Sequence, residues 1–248
     1  MNMSDWLNKL VSYDEMARAV FGRSHPLDAR TLFLKSEYPQ DSVWFQKCLN
    51  AILDVEFEYV EHLLQHLNDS AIVGDLVEFG VFKGAWLNKL YELTTRVGLD
   101  CKMIWGFDSF AGLSKPHEKY DADFWKEGMY AASRVEVEEL VQAKERPRIR
   151  LVEGFFRESL KTLEAQSLGP VCFARIDCDI YEPTVDCLNF LSTRLSNGAI
   201  LVFDDWTYSP EVGETRAFFE WVKATPHLGF DYLGQGVWSH LYLRVRHQ

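Results

Sequence analysis

Two short apolar runs in the last third of the chain each end in a pair of aspartates. Residues 171–174 lead into Ala-Arg-Ile-Asp-Cys-Asp-Ile-Tyr, which carries Asp177 and Asp179; residues 199–203 lead directly into Asp204, Asp205 and Trp206. Runs this short, bounded by polar residues, have the length of buried strands rather than helices. A helical segment opened by Pro183, with Val185, Leu188, Leu191 and Leu195 on one face and Gly198 just past its end, lies between them. The two acid pairs are therefore one strand–helix–strand step apart, on the ends of neighbouring parallel strands. In an open α/β sheet, ligands bind in the crevice at those ends. Four carboxylates gathered there repel one another, and a hard divalent cation held through oxygen relieves that repulsion. A single Asp in such a place is by default an exposed turn; four at two consecutive strand ends fit that reading less well.

The same alternation continues upstream. Residues 75–80, 103–107 and 148–153 read as further strands, a helix spans about 85–96, and another covers 213–225. A hairpin is expected around Gly234-Gln235-Gly236. Residues 1–70 read as helical, with Phe45, Leu49, Leu53, Val60 and Leu64 near a helical period up to Asn68-Asp69-Ser70. The expectation is an α/β chain: a Rossmann-like, doubly wound, mainly parallel sheet over residues 71–248. It has an N-terminal helical extension over residues 1–70 and a C-terminal antiparallel hairpin. Residues 114–134 show no periodicity but hold His117, Tyr120, Asp121, Asp123, Phe124, Trp125 and Tyr130, a composition suited to a substrate lid, a partner-binding loop or an oligomer contact.

Three strand ends suggest a nucleoside site. In Glu78-Phe-Gly80-Val-Phe-Lys-Gly84 the two glycines permit a tight turn and a close approach of helix to ligand. Phe82 stands where a dinucleotide fingerprint needs its second glycine, which suits a nucleoside without a pyrophosphate. In Trp-Gly-Phe-Asp108-Ser109, the acid is placed to accept both ribose hydroxyls, unless it only caps the next turn. Gly154 and Phe155 after the third strand offer small and aromatic surfaces to an adenine ring, or else ordinary core packing. His62 and His66, four residues apart on an N-terminal helix, read as a solvated face.

The chain has 248 residues, 47% of them hydrophobic, and a formal net charge of −11. With no basic surplus to release counterions, it is not expected to bind nucleic acid or an anionic membrane. Five scattered cysteines without a Cys-x-x-Cys pair read as reduced thiols. Neither a signal peptide nor a membrane span is evident, so a cytoplasmic location is expected.

Taken in order, these motifs resemble the macrocin O-methyltransferase family, over roughly residues 74–225. The pieces that carry the resemblance are Gly-Asp-Leu-Val-Glu-Phe-Gly-Val-Phe-Lys-Gly, Phe-Asp-Ser-Phe-x-Gly-Leu, Arg-Ile-Asp-x-Asp-Ile-Tyr-Glu-Pro-Thr and Asp-Asp-Trp. The resemblance implies an S-adenosylmethionine fold, a magnesium ion and methylation of a sugar hydroxyl. Its metal aspartates look like Asp177, Asp204 and Asp205, and Asp179 matches the second acid of the family's Asp-Gly-Asp. Cys178 stands for that glycine, and Ser114-Lys115-Pro116 interrupts the usual Gly-Leu-Pro. The expected cofactor-binding residues are Glu78, Gly80, Gly84, Asp108, Ser109, Gly154 and Phe155. Asp179 is the expected general base and His117 the reserve, with the ligand and base roles of Asp177 and Asp179 exchangeable. The expected partner is a small hydroxylated substrate, a sugar or polyol with two adjacent oxygens, and the chain is expected to form a homo-oligomer. A catechol or other small diol is the alternative acceptor. A metal-independent methyltransferase, a nicotinamide oxidoreductase and a non-catalytic binding protein are the rival functions.

Overall fold

The computed structural model describes residues 43–99, 103–207, 209–236 and 240–248, with side chains from residue 54 onward. Residues 1–42 of the expected helical extension, the Cys101 thiol and the side chains of Phe45, Cys48, Leu49 and Leu53 lie outside that range. Helix α1 (Val43–Asp69) is followed by β1 (Asp75–Phe79), α2 (Ala85–Val97), β2 (Ile104–Asp108), α3 (Arg134–Leu140) and β3 (Ile149–Glu153). Two single-turn helices, α4 (Phe156–Ser159) and α5 (Leu163–Gln166), lead into β4 (Val171–Ile176). Then come α6 (Tyr181–Leu191), β5 (Leu195–Phe203), α7 (Gly213–Ala224), β6 (Leu228–Gln235) and β7 (Leu241–His247).

The seven strands form one sheet in the order β3-β2-β1-β4-β5-β7-β6. The first five are parallel, and β7 and β6 add an antiparallel pair. The expected fold class holds. One boundary moves: α6 stops at Leu191 and β5 begins at Leu195, so Leu195 belongs to the strand and Gly198 lies within it. The apolar period carried across that junction because Leu195 is buried in either element. Helices α3, α4 and α5 are too short to leave a readable period.

Strand side chains alternate between the two faces of the sheet. Val77, Phe79, Trp105, Phe107, Ala174, Ile176, Leu201 and Phe203 pack on one side with Leu188 and Leu191 of α6 and Phe218 and Val222 of α7. On the other side, Leu76, Ile104, Ile200, Val202 and Tyr242 pack with Val60, Leu64 and Leu67 of α1 and Leu87 and Leu90 of α2. Val60, Leu64 and Leu67 are fully buried, each contributing ~1.5–3 kcal/mol to holding α1 on the sheet. Helix α2 ends at Gly98, whose left-handed backbone returns its N–H to Thr94 and Thr95. Among the described residues, no helix is long and apolar enough to cross a membrane.

The strand order reverses between β1 and β4. The parallel ladders there run one residue past the strands: Gly80 N–H donates to Phe107 O, Asp177 N–H to Phe79 O, Asp204 N–H to Ile176 O and Gly154 N–H to Asp108 O. Gly80, Asp108, Gly154, Asp177 and Asp204 are thus laid in a row along one edge of the sheet.

Candidate active site

A cavity of about 560 Å3 opens along that edge, within the range of small-molecule sites. Of the residues expected to act, Gly80, Asp108, Ser109, Gly154, Phe155, Asp177, Asp179, Asp204 and Asp205 line it. The segment after β2 contributes Ser114, Lys115 and Tyr130, and α6 contributes Glu182 and Asp186.

At the β1 end, Gly80 has φ +87° and a Cβ there would collide with the Asp177 carbonyl, so only glycine lets the first loop pass this close to β4. Asp108 fastens the loop. Its Oδ2 accepts Val81 N–H at 2.7 Å and Phe82 N–H at 2.8 Å, and its Oδ1 accepts Phe110 N–H at 2.6 Å. Phe82 and Phe110 both have positive φ, 48° and 53°, a conformation that costs a bulky residue energy and is held here by these bonds. Burial pushes the Asp108 pKa up, against the three backbone donors. A carboxylate has about four acceptor positions; three are taken, which leaves one for a ligand rather than a contact to both ribose hydroxyls.

The four aspartates separate into two kinds. Oxygens of Asp177, Asp179 and Asp205 all lie within 4.8 Å of one another. Burial pushes Asp177 up to about 7 against the pull of Arg175, and burial with the Asp177 charge pushes Asp179 up to about 8. Asp205, next to Asp179, is raised well above its usual value. Asp179 has φ +60°, a strained conformation for a non-glycine residue. Asp204 is different. Its Oδ1 meets both the Arg175 guanidinium and His240 Nε2, the latter at 2.6 Å. Burial would raise its pKa, but these two cations hold it well below the usual carboxylate range.

Arg175 sits in cross-strand register with Glu78 and is 5% exposed. It reaches Glu78 at 2.6 Å and Asp177 at 2.7 Å, as well as Asp204. Its guanidinium lies 4.5 Å over the Trp86 ring. His240 also bonds Glu56 of α1 through Nδ1 at 2.8 Å, and Tyr242 O–H donates to the same carboxylate. Burial lowers the His240 pKa, but Asp204 and Glu56 outweigh it and raise it to about 10. None of Arg175, His240, Glu56 and Tyr242 was singled out by motif spacing. Arg175 had a visible signal, since a lone Arg two residues before a strand-end Asp demands a partner.

Three expected residues do not line the cavity. Glu78 is 1% exposed and paired with Arg175, its pKa raised by burial to about 8. Gly84 starts α2 in a left-handed conformation, and a Cβ there would press on Val137 of α3 and on Val141 just past its end, a packing role. His117 stacks on Tyr120 at 4.2 Å, and its backbone N–H donates to Asp121. Asp121 also accepts Tyr181 N–H at 2.7 Å, which docks the expected lid against the start of α6. Tyr130 borders the cavity and packs edge-on against Phe82, whereas Trp125 sits behind Tyr130. Cys172, Cys178 and Cys187 are buried and form no disulfide among the described residues.

Residues 37–227 match the family model described as macrocin-O-methyltransferase (TylF). The chain is 27% identical over 186 residues to demethyldecarbamoylnovobiocin O-methyltransferase of Streptomyces niveus, spanning 69% of this chain and 70% of that protein. It is 26% identical over 155 residues to a tetracenomycin-C 4'-O-methyltransferase of Streptomyces olivaceus, acting on a dimethoxy-rhamnosyl derivative, over 59% of this chain and 58% of that one. The crystal structure of CalS11, a calicheamicin methyltransferase, matches with a TM-score of 0.63 and 24% identity, covering 88% of this chain and 91% of that one. An O-methyltransferase from Bacillus cereus in complex with SAH matches with a TM-score of 0.52 and 14% identity, over 98% and 100% of the two chains. Both show a shared fold.

Proposed function

This chain belongs to the macrocin O-methyltransferase family and is an O-methyltransferase, and from that premise we propose that it methylates a hydroxyl on a sugar of a natural product, using S-adenosylmethionine and a divalent cation such as magnesium. The observation that carries the reading is the convergence of Asp177, Asp179 and Asp205 within 4.8 Å at the floor of a cavity that also takes in Gly80, Asp108 and Gly154. Three carboxylates this close, their pKa values raised by burial first and by one another's charge, fit a hard cation bound through oxygen.

When bound, S-adenosylmethionine supplies an electrophilic methyl group, and the cation supplies Lewis acidity that eases ionisation of an alcohol. The chain's own residues do the rest. Gly80 lets the β1 loop approach the ligand, and Asp108 holds that loop in its strained form. Ser109, Gly154 and Phe155 form the wall on the nucleoside side. In the transfer a carbon–sulfur bond breaks, a carbon–oxygen bond forms, and the hydroxyl proton leaves to a carboxylate. Asp179 is that base: it lines the cavity beside Asp177 and Asp205, within reach of a hydroxyl held there. Asp177, Asp204 and Asp205 then hold the cation. Residues 114–134, docked through Asp121, cover the acceptor.

One observation favours a second division of roles. The close group contains Asp179 and not Asp204, whose Oδ1 is already taken by Arg175 and His240. Methyl transfer to deoxysugar conjugates and to catechols, with and without a chelator, tests the whole reading. Turnover only of sugar hydroxyls, abolished by the chelator and restored by magnesium, is expected; full activity in chelator removes the cation. Asp179→Asn separates the roles, since loss of turnover with cation affinity kept makes Asp179 the base, and loss of both makes it a ligand.

A further inference from the structure

Glu214, in the first turn of α7, is fully buried. Its Oε1 accepts Cys178 N–H at 2.8 Å, between Asp177 and Asp179. Its Oε2 accepts Asp205 N–H at 3.1 Å. One rigid carboxylate therefore spans the two loops that carry the three converging acids. The neighbouring residues fasten the same region: Thr215 Oγ1 accepts Thr207 N–H at 2.9 Å, and Gly213 N–H donates to Tyr120 O at 2.8 Å.

The placement is electrostatically unfavourable. Burial and the nearby Asp205, Asp177 and Asp204 all raise the Glu214 pKa. A neutral acceptor such as Gln could take one of the two N–H groups, but its amide would turn a donor toward the other. Only a carboxylate presents an acceptor to each. A fifth acid beside four others is hard to explain by stability alone, because a buried acid facing other acids costs free energy.

We propose that Glu214 is a positioning residue that sets the separation of Asp177, Asp179 and Asp205, and through it the affinity of the site for a divalent cation. This rests on the cation reading given above. Hydrogen-bond partners of ligating groups typically govern metal affinity by about 10–100-fold when removed. Glu214 acts on the backbone of the ligand loops, and the nucleoside wall built by Gly80, Asp108 and Gly154 lies on other strand ends. Its loss therefore acts on cation binding and spares the nucleoside.

The test titrates manganese(II) into the full chain by electron paramagnetic resonance, and S-adenosylhomocysteine into the same preparations by calorimetry. Glu214→Gln is nearly isosteric, and Glu214→Asp, one methylene shorter, keeps the carboxyl group but cannot span both loops; either serves if the other does not fold. The expected result is manganese binding about 10–100-fold weaker than wild type with S-adenosylhomocysteine affinity kept. Unchanged manganese affinity overturns the inference alone. Equal weakening of both ligands also overturns it, because Glu214 then supports the fold and not the acid group. A wild-type chain that binds no manganese overturns the cation reading and this inference with it.

Discussion

Replacing Arg175 with Met removes the one cation shared by Glu78, Asp177 and Asp204. Met keeps much of the side-chain volume over Trp86 but offers no charge. Taking one partner out of a buried ionic cluster costs ~3–5 kcal/mol, because the remaining charges are left uncompensated. For a chain of this size each kcal/mol shifts the melting temperature by roughly 2–4 °C, so a fall of ~6–20 °C is expected. The loss depends on pH in a definite direction. Glu78 and Asp177 already titrate at about 8 and about 7 with Arg175 present; without it both move higher. At pH 6 they are neutral and little charge is stranded. At pH 8.5 the folded variant must either bury charge or hold protons that the unfolded chain has released, so its stability falls as pH rises. Urea unfolding followed by tryptophan fluorescence in chelator, at pH 6 and pH 8.5, reads both effects. The double change Arg175→Met with Glu78→Gln should recover part of the loss, since Glu78 has no other ion-pair partner among the described residues. A single variant within ~1 kcal/mol of wild type at pH 8.5, or a loss larger at pH 6, refutes the argument.

Asp108→Ala should release Val81, Phe82 and Phe110 and weaken S-adenosylmethionine binding by at least about tenfold, since hydrogen bonds to a charged group contribute ~1.5–3 kcal/mol each; calorimetry giving the wild-type affinity would count against this anchoring role. Cation affinity should climb between pH 6 and pH 9, because the proton held by Asp177 at about 7 must leave before a cation enters; a flat manganese titration profile over that range is the contrary result.

The fold and the position of the candidate site are legible because apolar runs and strand-end acids are local signals. Gly80, Asp108, Asp177 and Asp205 each sit within one or two residues of a strand they terminate. The parts that were not legible depend on distance. Glu56 and His240 bond across 184 positions of sequence, and nothing near either one marks the other as its partner. Glu214 reads as an ordinary acid in the first turn of a helix, where the helix dipole alone would explain it. Glu78 was read toward the ligand because it precedes Gly80. Strand alternation instead sends its side chain to the α1–α2 face, in register with Arg175. Gly84 and His117 were read from motif spacing and lid composition, and packing placed them against α3 and Tyr120.

Charge balance explains why four aspartates that look alike in sequence are not equivalent. Arg175 and His240, with pKa values well above neutral, supply two positive charges. Asp204 and Glu56 meet them directly. Glu78 and Asp177 share the same guanidinium, and burial raises both pKa values despite it. The charge nearest the sheet is therefore settled within the protein, and Asp204 stays ionised. Asp177, tied to Arg175, faces the cavity with Asp179 and Asp205, for which no ion pair is present among the described residues. A cation held by Asp177, Asp179 and Asp205 would displace their protons and leave Asp204 to Arg175 and His240, whereas one held by Asp177, Asp204 and Asp205 would compete with those two cations for Asp204.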